Sequence, residues 1–251
     1  MKVQQVSNVA AKRSSFALNL IALCAVALPG LAVAQFGPPP GPPKPAKEAA
    51  QIAKVDFTGY WVSLVTEDWR YRMFTAPKGD FPEIPLNPVG MKEANSWNPS
   101  QDLSFDCKLY GAAHVMRMPT RLHITWADDE TLKIETDLGV QTRLLRFKAP
   151  PPPDSPASLQ GYSAANWDTK TGIKVLTTHM LPGYLQSNGV PYSDKATMTE
   201  YIDAFKEDNG DEWLVVKSVI EDPQYLRRSY VLSTHFKKQK DAKGWNPTPC
   251  K

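Results

Sequence analysis

Between residues 120 and 147 the chain reads TRLHITWADDETLKIETDLGVQTRLLRF, and its apolar positions recur at every second residue. Leu122, Ile124 and Trp126 alternate with Arg121, His123 and Thr125. After Asp128-Asp129, Leu132 and Ile134 alternate with Lys133 and Glu135, and past Asp137 and Gly139 a third run extends from Val140 to Phe147. Period-two alternation between turn-forming residues places one face of an extended chain on a core and the other in water. The spacing therefore predicts a three-stranded meander. Runs of the same kind at 57–66, 70–75, 159–167, 172–180, 196–206, 211–220 and 229–237 raise the expected strands to about ten. Short helices are expected only within 87–94 and around 107–115. Open edges on so long a meander would invite pairing with other chains, which closure removes. The expected fold is all-β: an antiparallel barrel of about 8 to 10 strands with one or two short helices.

The ends of the chain read differently. Lys2, Lys12 and Arg13 precede an apolar run from Phe16 to Leu28 and then Ala32-Val33-Ala34, so 1–34 is expected to be a secretory signal peptide. Asn19, Pro29 and Gly30 break the run below membrane-spanning length, so no membrane span is expected after cleavage. A lipid anchor at Cys24 is disfavoured by the bulky Leu23 before it. Residues 35–54 contain FGPPPGPPKPAK and are expected to form an extended proline-rich linker, leaving 55–251 as the barrel domain.

Composition narrows the function. Three of the 29 basic residues and none of the 26 acidic ones lie in the signal segment, so the remaining chain is formally neutral. Nothing clusters Lys and Arg as a phosphate-tracking surface needs, which excludes nucleic acid as a partner. A periplasmic or secreted location is oxidising, so Cys107 and Cys250 can pair. The repeated Trp-Asn-Pro at 97–99 and 245–247, each preceding one of these cysteines, suggests two related corners.

Phe57-Thr58-Gly59-Tyr60-Trp61 resembles the Gly-x-Trp entry to the first strand of lipocalin-like barrels. The resemblance implies a tryptophan packed across the closed end and a glycine that lets the chain bend into it. GYWVSLVTEDWRYRM, CKLYGAA, KIETDLGVQTRL, HMLPGYL and EDPQYL are similar to a family of secreted bacterial barrels, which implies export and fold but no catalytic residues.

Signatures of metalloproteases, phosphate-binding loops and dithiol redox centres are missing, and Gly161-Tyr162-Ser163-Ala164-Ala165 lacks the final glycine of a nucleophile elbow. The candidate chemistry is acid–base. Ile173, Val175, Thr177 and His179 share one face, and Met198, Glu200, Ile202 and Ala204 share another, so a hairpin could bring His179 to Glu200 at the barrel mouth. A one-residue slip would send Tyr201 inward in place of Glu200. Alternation puts Arg121 and His123 outside; in a polar cavity they would join Arg143 and Gln141 as a cationic wall for a carboxylate or developing enolate.

Trp61, Trp69, Tyr184 and Tyr192 are the expected walls for a small, largely apolar or aromatic ligand. The reading is then a cofactor-free lyase or isomerase, with a non-catalytic carrier as the alternative. A third reading is copper handling by His114, Met116 and Met118, which would share one face of an extended strand. Acid pairs Glu67-Asp68 and Glu221-Asp222 are expected to end strands and to pair with Arg70, Arg72, Arg227 or Arg228.

Overall fold

The computed structural model describes residues 49–53, 55–100, 105–147, 152, 154–168 and 172–250. The signal segment and the Phe36–Lys47 proline run lie outside these residues. The described strands are β1 (Gly59–Leu64), β2 (Arg121–Asp128), β3 (Thr131–Thr136), β4 (Leu138–Gly139), β5 (Thr142–Arg146), β6 (Tyr162–Trp167), β7 (Gly172–Thr178), β8 (Gly183–Gln186), β9 (Val190–Tyr192), β10 (Thr197–Lys206), β11 (Glu212–Glu221), β12 (Tyr230–Gln239) and β13 (Thr248–Pro249).

Nine of them close a barrel in the order β1-β12-β11-β10-β7-β6-β5-β3-β2, with β2 returning to β1. Strict alternation of direction cannot close on an odd number of strands. One neighbouring pair must run parallel, and it is β5 with β6, where Leu145 stands beside Ser163 and Arg146 beside Ala164. The all-β barrel is thus as expected, and its one departure from antiparallel order falls at the connection whose sequence carries Pro150-Pro151-Pro152-Pro153.

Alternation decides what lies inside. Trp61, Leu122, Ile124, Leu132, Ile134, Leu145, Val175, Ile202, Val216 and Phe236 are all buried in one cluster, while their odd-step neighbours face outward. Each such side chain contributes about 1.5–3 kcal/mol by leaving water. Near the end where β1 begins, Trp61 Nε1 donates to the Phe57 carbonyl at 3.0 Å and the Lys238 ammonium sits 5.3 Å from its ring. Gly59, at φ 108°, turns the chain into this strand through a region that side chains rarely adopt.

The long connection between β1 and β2 covers the opposite end. Its clearest element is the helix Pro88–Ser96, which starts where the sequence places it: Asn87 accepts from Gly90 N at 2.9 Å and proline occupies the first turn. A 3-10 turn, Phe105–Tyr110, and a short helix, Ala112–Val115, follow. Val115 and Met116 reach into the barrel's own core cluster, so this turn seats like a plug. Ala112, Ala113, Leu86 and Ala94 pack instead with Met198, Ile220 and Tyr230 at the strand ends and with the β8–β9 hairpin.

One expectation fails here, and one element was not anticipated. Residues 70–75 are not a strand: Asp68 adopts a left-handed φ of 52° and starts a helical turn over Trp69–Arg72. The bulky side chains there do not record burial, since Trp69 is 55 % and Phe74 60 % exposed. The β8–β9 hairpin, turned at Asn188-Gly189, goes unforeseen because Pro182 and Pro191 hide its strand pattern.

Cys107 and Cys250 form a disulfide across 143 residues of sequence, with their Cα atoms 5.3 Å apart. Beside it, β13 pairs in parallel with β4, and the buried Asp137 accepts from Thr120 Oγ1, Arg121 N and Leu138 N. The two Trp-Asn-Pro corners are not equivalent. Trp97 packs with the disulfide, whereas Trp245 lies against Tyr60 and His123 on the outer wall.

Candidate functional site

Above the apolar layers the inward positions turn polar. Arg143 on β5, Ser163 on β6, Thr177 on β7, Glu200 on β10, Ser218 on β11 and Thr234 on β12 are all buried. Each keeps the inward face that its strand's apolar residues define, as Glu200 does between Met198 and Ile202. The centre of this layer is an ion pair with both side chains at 0 % exposure. Arg143 Nη1 donates to Glu200 Oε1 at 3.0 Å, and Nη2 donates to Oε2 at 2.5 Å and to Thr177 Oγ1 at 3.4 Å. Ser163 Oγ lies 2.9 Å from Thr177 Oγ1. Taking both charges out of water costs several kcal/mol per ion, which only such two-pronged geometry offsets.

The layer is not fully paired. Arg143 Nε and Thr234 Oγ1 are buried without a hydrogen-bond partner, as is Nδ1 of His114 in the plugging turn. An unpaired buried polar atom costs about 1–3 kcal/mol, so each of these would gain from a hydrogen-bonding partner.

Two further guanidiniums close in from the mouth. Arg72 is 6 % exposed; its Nε donates to the Arg117 carbonyl at 2.9 Å, and its other nitrogens donate to the Leu64 carbonyl and to the hydroxyl of Ser63. It thereby ties the β1–β2 connection to the barrel rim. Arg117, 4 % exposed, pairs with Asp68 at 2.9 Å. Burial, and then the neighbouring Arg117, draw the Arg72 guanidinium down to about 10. Burial, followed by Arg117 and Arg72, pushes the His114 imidazole down to about 3, so it stays neutral. Of these three arginines, Arg143 alone has a fully buried carboxylate as partner; the Asp68 side chain remains 41 % exposed.

The sequence candidates are distributed as follows. Glu200 and Arg143 meet inside. Tyr201 faces outward beneath the ammonium groups of Lys217 and Lys174, 4.3 and 5.6 Å from its ring. Arg121 and His123 are outside, as alternation requires: Arg121 lies 3.7 Å from Asp137, and His123 pairs with Glu135 at 3.2 Å while stacking on Tyr60. Gln141 bonds to the Gly139 carbonyl and to Gln160, not to Arg143.

His179 takes a left-handed φ of 57°, which ends the alternation of β7, and its Nδ1 meets Thr178 Oγ1 at 2.8 Å. Among the described residues no hydrogen bond joins it to Glu200, both of whose oxygens are held by Arg143. The aromatic candidates do not share a chamber either. Trp61 lies in the barrel core, Trp69 packs edge-on against Phe74 at the surface, and Tyr184 and Tyr192 line an outer recess.

His114, Met116 and Met118 occupy a helical turn and its exit, so the extended strand that would have aligned them does not exist. Met116 enters the barrel core and Met118 packs by the disulfide. Among the described ion pairs neither acidic pair meets an arginine expected for it: Asp68 pairs with Arg117, Glu67 with His235 at 2.6 Å, and Asp222 accepts from Ser193 N and Oγ.

Arg72 and Arg117 were missed by the strand reading. One signal was present: Arg117 stands alone between Met116 and Met118 at the end of the largely apolar GAAHVMRM, where an unexplained charge implies a buried role. Neither the protein-family models nor the curated proteins compared with this chain give a match.

Proposed function

We propose that the protein is an exported small-molecule-binding barrel whose ligand offers an anionic or acceptor head to the polar layer and an apolar or aromatic body to the surrounding core. The observation that carries this reading is the set of buried, unpartnered polar atoms, Arg143 Nε, Thr234 Oγ1 and His114 Nδ1. Export is supported by the disulfide, which suits an oxidising compartment. Because the layer is fully covered, entry requires the turn Ala112–Val115 to lift from the mouth.

Binding fits this geometry better than turnover. For Glu200 to abstract a proton, it would first have to break both bonds from Arg143, leaving a guanidinium unpaired in a buried site. His179, the intended partner, is occupied elsewhere.

The test is mass-spectrometric identification of small molecules released from protein purified out of its native compartment, followed by calorimetry with the compound found. Arg143→Lys keeps the charge and loses the fork, so affinity should fall by more than about tenfold. Thr234→Val should weaken binding by about fivefold. Recovery of no compound, together with no heat from aromatic or aliphatic carboxylates, would overturn the reading.

A further inference from the structure

On the outer wall of the barrel the pairing register lines up three aliphatic side chains and a threonine. Leu176 on β7 stands opposite Thr199 on β10, Thr199 opposite Val219 on β11, and Val219 opposite Val231 on β12. All four point away from the core, since each follows a buried residue on its strand: Val175, Met198, Ser218 and Tyr230. The ends of the row are open, with Leu176 46 % and Val231 56 % exposed. Single exposed apolar residues are ordinary, whereas a row that crosses four adjacent strands is a candidate contact surface.

Two residues to either side, the same face is charged. On one side Glu221 of β11 stands opposite Thr197 and accepts from Ser229 Oγ at 3.2 Å. On the other, Lys217 of β11 and Lys174 of β7 flank Tyr201 of β10, with their ammonium groups 4.3 and 5.6 Å from its ring. Among the described residues neither lysine forms an ion pair, nor does Glu221.

This order of acid, apolar row and base matches itself. Two identical faces pack about a two-fold axis that lies between them. An axis along the Lys217 row would set each lysine against its own copy, and one along the Glu221 row would set the two glutamates together. An axis running along β10 would set Lys174 on Lys217, and one along β11 would again oppose the two Lys217. With the axis along the apolar row, Val219 meets Val219, and each Glu221 meets a Lys217. That arrangement places opposite charges together twice and like charges nowhere. Sheets stacked face to face lie about 10 Å apart, a gap that a lysine and a glutamate together span. Four strands and three rows cover about 19 by 20 Å, or about 400 Å² on each copy. A stable interface takes about 800 Å² per partner, so the association is weak and depends on concentration.

We propose that two copies of this chain associate through the outer faces of β7, β10, β11 and β12, with the two-fold axis along the Leu176–Val231 row and Glu221 of each copy on Lys217 of the other. The surface lies outside the barrel, and the proposal does not depend on what the barrel holds.

The test is sedimentation velocity on the full mature chain with its disulfide intact, from about 5 to about 500 µM in low salt, where ion pairs are least screened. The wild type should pass from monomer to dimer with a midpoint of about 100 µM, as suits so small an interface. Lys217→Glu and Glu221→Lys each set like charges face to face and should raise the midpoint more than about tenfold. Combining Lys217→Glu with Glu221→Lys restores opposite charges in exchanged places, and the midpoint should return to within about threefold of the wild type. Val219→Lys, which sets two lysines on the axis, should leave only monomer. All these side chains lie on the outer face, so unchanged melting curves are expected and separate a lost contact from a lost fold. A wild type that stays monomeric, single variants that dimerise as before, or a double variant that does not recover overturns the proposal. A monomer that instead pellets with vesicles of anionic lipid, and ceases to do so after Lys174→Glu with Lys217→Glu, gives the face to a membrane surface and overturns the second copy.

Discussion

Replacing one member of the Arg143–Glu200 pair should be among the most damaging single changes available to this fold. In Glu200→Met, the Arg143 guanidinium stays inside with 0 % of its side chain exposed; it loses both carboxylate bonds and adds two unmet donors to its already unpaired Nε. Breaking a buried pair from one side costs about 3–5 kcal/mol. At about 2–4 °C per kcal/mol for a domain of this size, the melting temperature should fall by roughly 6–20 °C. The double replacement Arg143→Met with Glu200→Met removes both desolvation penalties, leaves Thr177 bonded to Ser163, and should lie near the wild type or up to about 4 kcal/mol above it. Urea denaturation of the four proteins with the disulfide intact yields the coupling energy directly. If each single variant loses less than about 1 kcal/mol and the double variant is simply additive, the pair is not sealed in the interior and the account of the polar layer is wrong. A stable double variant that no longer holds the co-purifying compound would separate the pair's role in binding from its role in folding.

Three other outcomes follow from the same structure. His114 is held neutral, with its folded value near 3 against 6.5 unfolded, so below pH 6.5 the unfolded chain takes up a proton that the fold refuses; stability is complete above that pH and should fall by about 2 kcal/mol by pH 5, and His114→Gln should remove this part of the slope in denaturation curves measured from pH 7.5 to 5. Reducing Cys107–Cys250 frees a span of 143 residues and should cost up to about 5 kcal/mol in urea with and without reductant; a loss below about 1 kcal/mol would show that β13 and the Asp137 bonds alone hold the C-terminus. Gly189→Ala places a β-carbon 2.2 Å from Trp97 Cγ at φ +85°, whereas Gly210→Ala meets open space at φ +89°, so thermal melts should show a loss of more than about 2 kcal/mol for the first and about 1 kcal/mol for the second.

Individual residues show where local pattern carries information and where it stops. Glu200 inward and Tyr201 outward follow from Met198, Ile202 and Ala204, because a strand offers only two faces and three apolar neighbours choose between them. The same rule places Arg143 inside and Arg121 and His123 outside. It fails at His179, where one left-handed residue resets the period, and across the β1–β2 connection, where helical turns leave no alternation to read. Arg72, Arg117 and His114 all lie in that connection.

The amino-acid order by itself determined that this chain makes an all-β barrel, which apolar residues its walls turn inward, and that a cysteine pair was available to bind the C-terminus back. Those features depend on contacts set by a two-residue period. Tertiary structure alone decided that Arg143 meets Glu200 across 57 residues, that a single parallel joint closes nine strands, and that three arginines crowd the covered mouth. Closure sets which distant side chains share a layer, and no local period encodes the strand number or stagger on which closure depends.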